Sequence, residues 1–517
     1  MGWLGSRRAI AALLVLSGAV ALVLAALWAG PVRAQGPGTG WSSPVIISND
    51  APPSPLNTRY PVVATTSDGA AHIFWNQKYT EAQTHVESIF YLRMAVGPKT
   101  YPVDIQSSLG GEVTNFPNTA LLTPANLVNH SSNVALSPDG KAYMLWQSGW
   151  NNDHLLLSSA PISEMGTASA WRSPITVAEG RAIGGALAVD AHGTVHVIFY
   201  TPGKGLGIFY TRWDDGGKEW SDPLDISGGV NDSGIVTSGG EIAVSESGII
   251  HAAWTVTTST GYTKVGTPAR AYYSRSIDGG RTWSRPLELD PTKRSPGVVD
   301  TPSIGVFGAN RVDLVWYADA LRRHQSSSDG GQTWSKPESI MGDVWGHAGN
   351  GMAYDSAGTL HVVSAGHDAA YLPDSVYYSS WDGKAWSALE RIGDAGQLIP
   401  DKDWGFESPQ IAVSNGNRLH VVWQDRDNIW YSTRLVDAPA RPSVPVPTAE
   451  ARPTVTASPT APAPTAEPSP TARPPEGIGN TPFAPVNTNS MPALIWGLVP
   501  AGALVVFALL INTWRAR

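Results

Sequence analysis

The chain has 517 residues, only 15% of them charged, and it contains 53 glycines, 41 prolines and 21 tryptophans. This composition argues against a helical protein and is typical of short strands joined by tight turns, with aromatic residues between sheets. The formal net charge of −8 offers no basic surface for a nucleic acid, and the absence of cysteine excludes disulfides and a cysteine nucleophile.

Residues 1–34 are predicted to be a secretory signal peptide. Arg7 and Arg8 precede an apolar run, and Val32-Arg33-Ala34 has the pattern of a cleavage site. Because the apolar run is long for a signal peptide, an uncleaved membrane anchor is the alternative. Both interpretations place the residues that follow outside the cell.

Residues 35–436 contain seven copies of one pattern: an apolar strand, a glycine turn, and a second apolar strand that mostly ends in an aromatic residue. A third strand, another turn and a Trp-Ser sequence usually follow. The period and the turn chemistry predict an all-β fold, a seven-bladed β-propeller with four-stranded blades, and six or eight blades are the alternatives. The turn glycines are Gly69, Gly140, Gly193, Gly248, Gly308, Gly358 and Gly416.

The seventh unit stops at "NIWYSTRLV" and lacks a fourth strand. A matching piece, "GWSSPVIIS", precedes the first unit. We therefore predict that this N-terminal strand completes the last blade and closes the ring, which removes an exposed sheet edge.

Two stretches of the form Ser-x-Asp-x-Gly-x-Thr-Trp begin at Ser276 and Ser327, and weaker copies precede Trp220 and Trp386. They fall between third and fourth strands, where Asp accepts hydrogen bonds from the turn, Gly allows positive φ and Trp packs between blades. We predict a structural role for them. The residues concerned are Ser276, Asp278, Gly280, Thr282, Trp283, Ser327, Asp329, Gly331, Thr333, Trp334, Asp215, Gly217, Trp220, Asp382 and Trp386.

These turns resemble the Asp-box, or bacterial neuraminidase repeat, of the sialidase superfamily, and the resemblance spans residues 40–434. It implies the propeller fold. For members that are enzymes it also implies an arginine clamp on the substrate carboxylate, a Tyr nucleophile paired with a Glu, and an Asp acid/base. Arg59 in "TRYPVV" matches the first clamp arginine and Glu241 resembles the catalytic Glu, but the loop that should hold the acid contains no Asp.

Ligands are expected at the end of the propeller opposite the Asp-boxes. Carboxylates, an arginine and a tryptophan are densest there in the seventh unit, as in sugar sites, and a solvated loop with local salt bridges is the alternative. No catalytic residue is assigned. The candidate ligand-binding residues are Arg59, Trp345, His347, Asp401, Asp403, Trp404, Glu407, Asp425 and Arg426.

Five histidines share one position in the second strand of their units. A metal site would bring them around one ion, whereas blades hold equivalent positions apart, so we predict a structural role and no metal or other cofactor. These residues are His72, His196, His251, His361 and His420.

Residues 437–490, rich in Pro, Thr and Ala, are predicted to be a disordered stalk. Residues 491–513 contain an apolar run long enough for a transmembrane helix, and the basic tail 514–517 places the C-terminus in the cytoplasm. The chain is thus expected on the extracellular face of the membrane as a single-pass protein.

Three functions fit this sequence. The first is a surface-displayed propeller that binds glycans or protein partners. The second is an exo-acting, sialidase-type glycoside hydrolase on terminal acidic sugars, and the third is an extracellular assembly or scaffold factor. The membrane and an extracellular glycan or protein are the expected partners, and a nucleic acid is not.

Overall fold

The computed structural model describes residues 40–49, 57–81, 84–95, 103–104, 134–148, 154–178, 183–200, 207–214, 219–228, 236–257, 268–289, 299–318, 321–342, 350–366, 375–392, 406–425 and 428–446. The predicted signal peptide, transmembrane helix and cytoplasmic tail lie outside these residues, as does most of the predicted stalk. Within these ranges, no helix has the length and apolar character that crossing a membrane requires.

The described strands form seven antiparallel sheets, each of which is one blade. Blade 1 comprises β2 (Asn57–Thr65), β3 (Ala71–Glu81), β4 (Thr84–Met94) and β5 (Val103–Asp104). Blade 2 comprises β6 (Val134–Leu136), β7 (Lys141–Ser148), β8 (His154–Pro161) and β9 (Ile175–Thr176), with short 3₁₀ helices at Ile162–Glu164 and Ala168–Ala170. Blade 3 comprises β10 (Ile183–Val189), β11 (Val195–Tyr200), β12 (Ile208–Asp214), β13 (Glu219–Trp220) and β14 (Leu224–Asp225).

The other four blades follow in chain order. Blade 4 comprises β15 (Val236–Val244), β16 (Ile250–Thr257), β17 (Pro268–Ser276) and β18 (Leu287–Leu289). Blade 5 comprises β19 (Val299–Phe307), β20 (Arg311–Ala318), β21 (Leu321–Ser327) and β22 (Glu338–Ile340). Blade 6 comprises β23 (Asn350–Tyr354), β24 (Leu360–Gly366), β25 (Ser375–Trp381) and β26 (Glu390–Arg391). Blade 7 comprises β27 (Phe406–Ser414), β28 (Arg418–Asp425), β29 (Asn428–Leu435) and the N-terminal β1 (Val45–Ile46).

The N-terminal strand closes the ring, as predicted. In blade 7, Val45 pairs with Tyr431 and Ile46 with Trp430, so β1 forms the outer edge of a sheet whose other three strands are C-terminal. The fold is therefore a seven-bladed propeller, and the alternatives of six or eight blades are wrong.

The hydrophobic core lies between the blades. The described residues form seven buried apolar clusters, one for each pair of neighbouring blades. The cluster between blades 7 and 1, for example, contains the fully buried Trp75, Ile73 and Val422. Because apolar surface leaves water only when two blades meet, each blade depends on both neighbours for its stability.

The two ends of the propeller carry different loops. Since the strands are antiparallel, the first–second and third–fourth turns of every blade share one end, which we call the Asp-box face. The opposite end, which we call the loop face, carries the second–third turns and the connections between blades. Neighbouring first–second turns contact each other on the Asp-box face, as in the hydrogen bond from Ser356 N–H to Gly416 O (2.8 Å). The seven predicted turn glycines all have positive φ, between 61° and 86°.

Each complete Asp-box is held together by its own aspartate. Asp278 accepts hydrogen bonds from the Ser276 hydroxyl (2.8 Å) and from the hydroxyl and N–H of Thr282 (2.6 and 2.9 Å). The Ser276 hydroxyl oxygen in turn accepts from Gly280 N–H (2.9 Å). These bonds hold the pKa of Asp278 at about 2, below its usual value. Residues 327–333 repeat the arrangement, so in both boxes the aspartate is hydrogen-bonded within its own turn.

The boxes also join neighbouring blades. The Tyr210 ring of blade 3 lies edge-on to Trp283 in the blade 4 box (5.1 Å between centroids), and Tyr273 of blade 4 meets Trp334 in the blade 5 box in the same way (4.8 Å). In the shortened box, Asp382 accepts from the N–H groups of Lys384 and Ala385, while Trp386 contacts His324 of blade 5. Asp215 and Gly217 lie outside the described residues, and Trp220 packs on Trp213 of its own blade.

The repeated histidines are structural, as predicted. In five blades the histidine Nδ1 lies 2.7–2.8 Å from a tyrosine hydroxyl on the third strand of the same blade. In four of these, Nε2 reaches a side chain of the first–second turn, for example Thr66 for His72 and Ser414 for His420. In these four blades the histidine thus links the turn to the tyrosine, and in blade 3 that tyrosine, Tyr210, also contacts the next blade's box.

These histidines predict loss of stability in acid. Burial lowers the pKa of His72, His251 and His420 from 6.5 to about 4, so between these pH values the unfolded chain binds protons that the folded chain does not. Stability is therefore complete above pH 6.5 and falls as the pH drops towards 4, by on the order of 3 kcal/mol per histidine. Thermal unfolding between pH 8 and 4 should show this decline.

A matched pair of variants assigns the pH effect to the buried rings. His251→Gln should flatten the decline in melting temperature, because it removes one of the groups responsible, whereas the same change at the exposed His192 should leave the decline intact. A melting temperature independent of pH between 6.5 and 4 would contradict the assignment.

Candidate functional site

The structure describes three of the nine predicted ligand-binding residues. The side chain of Asp425 is described, as are the backbones of Arg59 and Glu407. The other six predictions lie outside the described residues: Trp345, His347, Asp401, Asp403, Trp404 and Arg426.

Arg59, Glu407 and Asp425 meet at the loop face, where blade 7 joins blade 1. Glu407 is the second residue of the first strand of blade 7 and pairs with Gln424 of the second strand. Asp425, which follows Gln424 and is buried, ends that second strand. Tyr60, which follows Arg59 in blade 1, donates its N–H to Gln424 Oε1 (3.3 Å). The fold therefore brings these three predicted positions together from opposite ends of the chain.

β-Bulges shape the loop-face ends of the inner strands. The first strand of each blade is the inner one, since first strands of neighbouring blades pack together around the ring. A bulge bends a strand and re-aims the side chains beyond it, and bulges are frequent beside active sites. Among the described inner strands, bulges occur at Arg59/Val62, Ile183/Gly185, Ser238/Gly240, Asp300/Ser303 and Glu407/Gln410.

A second polar group connects the inner strands of blades 4, 5 and 6. Glu241 of blade 4 accepts a hydrogen bond from Ile304 N–H of blade 5 (2.6 Å) and is hydrogen-bonded to the Ser303 side chain. The Ser303 hydroxyl donates to the backbone carbonyl of Asn350 in blade 6 (3.0 Å). The two blade 5 residues directly follow a bulge, so the bulge delivers them to this position.

Burial favours the protonated form of Glu241. Burial raises its pKa from 4.5 to about 8, an effect that the hydrogen bonds from Ile304 and Ser303 only partly offset. The Ser303 side chain thus lies between Glu241 of blade 4 and Asn350 of blade 6 and is hydrogen-bonded to both.

Two side chains beside Glu241 have unused hydrogen-bonding groups. Thr255 Oγ1 and both amide atoms of Asn350 are buried, and no described residue hydrogen-bonds to them. Thr255 lies on the same face of blade 4 as Ala253, the cross-strand neighbour of Glu241. A buried polar atom without a partner costs about 1–3 kcal/mol, so such atoms mark a position that water or a ligand satisfies.

Arg322 extends this polar group. It is fully buried, its Nε donates to Ser364 Oγ and its Nη2 to Ala365 O (2.9 Å). Ser364 is the cross-strand partner of Asn350, so the guanidinium lies one strand away from the unused amide. We call Glu241, Thr255, Ser303, Asn350 and Arg322 the Glu241 cluster.

The sialidase resemblance implies a tyrosine and further arginines, but Tyr377 and Arg270 do not join the cluster. Tyr377, a possible nucleophile by residue type, is packed in the apolar cluster between blades 5 and 6. Arg270 is exposed and lies 3.7 Å from Glu288. Tyr371 lies outside the described residues.

Sequence reasoning singled out Glu241 but missed Thr255, Ser303 and Asn350. A single Ser, Thr or Asn in an apolar strand has no local signature, and these three are brought together only by the packing of consecutive blades. The available signal was weak: Ser303 and Asn350 interrupt otherwise apolar inner strands in "TPSIGVF" and "GNGMAY".

No family model matches this chain, and no curated protein matches it. Solved structures similar to it include a PL25 ulvan lyase (9% identity, covering 79% of this chain and 96% of that one, TM-score 0.48). Others are the NanB sialidase from Streptococcus pneumoniae (12%, 79% and 70%, 0.40) and the intramolecular trans-sialidase from Ruminococcus gnavus (11%, 75% and 96%, 0.37). Identities at this level concern the fold alone. Its own seven sheets and Asp-box turns show that the chain has the β-propeller fold.

Proposed function

We propose that this protein is a propeller displayed on the extracellular face of the membrane, where its loop-face half binds an acidic glycan without cleaving it. The observation that carries the proposal is the Glu241 cluster, whose buried amide and hydroxyl have no partner among the described residues. An amide, hydroxyls and a neutral carboxyl offer both donors and acceptors, which suits a ligand rich in hydroxyl groups.

The charges of the cluster favour an acidic sugar. Arg322 is always protonated, and burial favours the protonated form of Glu241 by raising its pKa to about 8. A positively charged guanidinium beside a carboxyl with a raised pKa suits a ligand that carries a carboxylate. Arg59, at the junction of blades 7 and 1, is proposed as a second cation facing the same ligand.

Binding without cleavage is proposed because the cluster lacks the parts that hydrolysis needs. No tyrosine hydroxyl contacts Glu241 among the described residues, and Glu241 is hydrogen-bonded to backbone and serine. The matches at Arg59 and Glu241 keep the hydrolase as the second candidate. Turnover of a fluorogenic sialoside by the full-length chain, abolished by Glu241→Gln, would establish that candidate instead.

Replacing Thr255 by valine separates a binding role from a structural one. The change removes a hydroxyl that has no described partner and keeps the shape, so stability should be unchanged or higher. Affinity for an acidic oligosaccharide, such as 3′-sialyllactose or a glucuronate-containing fragment, should fall about fivefold to tenfold, as expected for one lost hydrogen bond of about 1 kcal/mol or more.

The matched control is Thr211→Val in blade 3. Thr211 is also buried, but its hydroxyl donates to Ser221 O (2.7 Å), so its removal should lower stability by about 1–2 kcal/mol and leave binding unchanged. Calorimetric titration and thermal unfolding of both variants measure the two effects. If acidic oligosaccharides do not bind the wild-type chain at all, the glycan proposal is wrong and a protein partner becomes the better candidate.

A further inference from the structure

The C-terminal chain leaves the propeller along the Asp-box face. After β29, residues 436–446 form a segment that we call the strap, which includes the first ten residues of the predicted stalk. Val436 N–H donates to Asn417 O (2.9 Å) and Arg441 N–H to Asn415 O (2.7 Å), both in the first–second turn of blade 7. The turns of blades 6 and 1 also bind the strap, through the Ser356 hydroxyl to Pro439 O and Val444 N–H to Ser67 O (2.7 Å).

The strap ends near the propeller axis. First–second turns join the two innermost strands of each blade, so they surround the axis, and the last turn that the strap reaches is that of blade 1. Ser67 and Val444 exchange two hydrogen bonds there, since the Ser67 hydroxyl also donates to Val444 O (2.9 Å). The chain beyond residue 446 therefore starts from the Asp-box face.

The N-terminal chain enters from the same face. Trp41 pairs with Arg434 at the end of β29, and Ser42 N–H donates to Thr433 O (2.8 Å). From there β1 runs towards the loop face, where the Ser48 hydroxyl accepts from Ile429 N–H (3.0 Å). Both ends of the chain thus join the propeller on the side of the Asp-boxes.

We infer that the Asp-box face is the attachment face of this protein: an anchor at either end of the chain is tethered to this face, and the loop face with the Glu241 cluster lies on the side opposite the tether. The inference rests on the proposed display at a membrane. It holds for either apolar terminus, because an uncleaved N-terminal anchor and the C-terminal span would both pull on the same face. On this inference the Asp-boxes lie on the tethered face of the propeller, and a ligand that approaches from the opposite side meets the loop face first.

The absence of cysteine makes the orientation directly measurable. A single donor fluorophore is attached at Ile277→Cys, 72% exposed in the blade 4 box, or at Asn49→Cys, exposed at the loop-face end of β1. The chain, shortened in the stalk by deletion of residues 453–485, is reconstituted in phosphatidylcholine vesicles that contain acceptor lipid. About 11 stalk residues then remain between the strap and the predicted span, reaching roughly 35 Å, which keeps the propeller within range of energy transfer.

Energy transfer is expected to be at least about twofold more efficient from position 277 than from position 49, given this short reach. Equal transfer, or higher transfer from position 49, would overturn the inference. Failure of the chain to float with vesicles is a different result, which contradicts the proposed membrane display. In that case the chain is captured through a C-terminal biotin on a gold surface that quenches fluorescence, and the two donor positions are compared again. The donor at position 277 is expected to be quenched more than the donor at position 49.

The strap is tested separately on the full-length chain. Its amides should exchange with deuterium at least about tenfold more slowly than those of the stalk peptide 453–480, because docked backbone groups are protected. Val444→Pro removes the donor to Ser67 and should abolish this protection, whereas Ala449→Pro, just beyond the strap, should preserve it. Equal exchange of strap and stalk in the wild-type chain would show that the exit point is not fixed.

Discussion

Alanine at Gly331 is expected to destabilise the protein by about 3–4 kcal/mol, whereas alanine at Gly248 should cost only about 1 kcal/mol. The two glycines have nearly the same φ, 80° and 79°, so the conformational cost of a Cβ is the same at both. Their surroundings differ. A Cβ on Gly331 would lie 2.0 Å from the Tyr273 hydroxyl, whereas one on Gly248 would meet nothing within 4 Å.

The measurement is urea-induced unfolding of the two variants beside the wild-type chain. Adding Tyr273→Phe to Gly331→Ala should recover part of the loss, because it removes the clashing oxygen, although the ring carbon at 2.9 Å remains. Alone, Tyr273→Phe destabilises by removing the bond to His251 Nδ1 (2.7 Å). A double-mutant cycle should therefore give a favourable coupling energy between Gly331→Ala and Tyr273→Phe. Equal losses of stability for Gly331→Ala and Gly248→Ala would contradict the packing of the blade 5 Asp-box on Tyr273.

Removing the Asp313 carboxylate should cost about 3–5 kcal/mol, because Arg311, His324 and Tyr354 all lose the buried group to which they bond. Blade 5 departs here from the five blades with the histidine–tyrosine pair: Asp313 stands where they have histidine, and His324 stands where they have tyrosine. Both ring nitrogens of His324 face carboxylates, Asp313 at 2.7 Å and Glu338 at 2.9 Å. Burial alone would raise the pKa of Asp313, but the hydrogen bond and charge of His324 hold it below its usual value.

Thermal and urea unfolding of Asp313→Ala measure this loss. The informative partner is the double variant Asp313→His with His324→Tyr, which gives blade 5 the histidine–tyrosine pair that five other blades have. It should be more stable than Asp313→Ala, because the new pair restores a buried hydrogen bond that Asp313→Ala removes. A double variant no more stable than Asp313→Ala would show that the network depends on Arg311 and Tyr354, which also bond to Asp313, more than on His324.

The sequence predicts the fold well because its signals are local. Each repeat contains a positive-φ glycine, two apolar strands and a Trp-Ser end. Because these features recur, the number of blades and the closure of the ring by β1 can be predicted from the sequence. The Asp-box is local too, since Asp278 and Thr282 satisfy each other within one turn. Such features need no knowledge of distant residues.

The parts that escaped prediction depend on contacts between blades. The space that Gly280 requires is set by Tyr210, in the preceding blade, and the Glu241 cluster assembles from three inner strands. The strap has the composition of a disordered linker, yet the turns of three blades offer it backbone and hydroxyl partners. The composition of the strap predicts its behaviour as an isolated segment, but it does not reveal the hydrogen-bonding partners that the neighbouring turns provide.

Closure of the ring by β1 constrains how the protein is made. Ser42 and Ser432 are hydrogen-bonded to each other although they lie 390 residues apart. The first strand to be synthesised, β1, therefore has no partner until the last strand, β29, has been synthesised. Until then, two blades have faces without a neighbour, and the growing chain exposes apolar surface that favours aggregation. The pairing of β1 with β29 therefore favours export of the chain in an unfolded state, followed by folding in one event after synthesis.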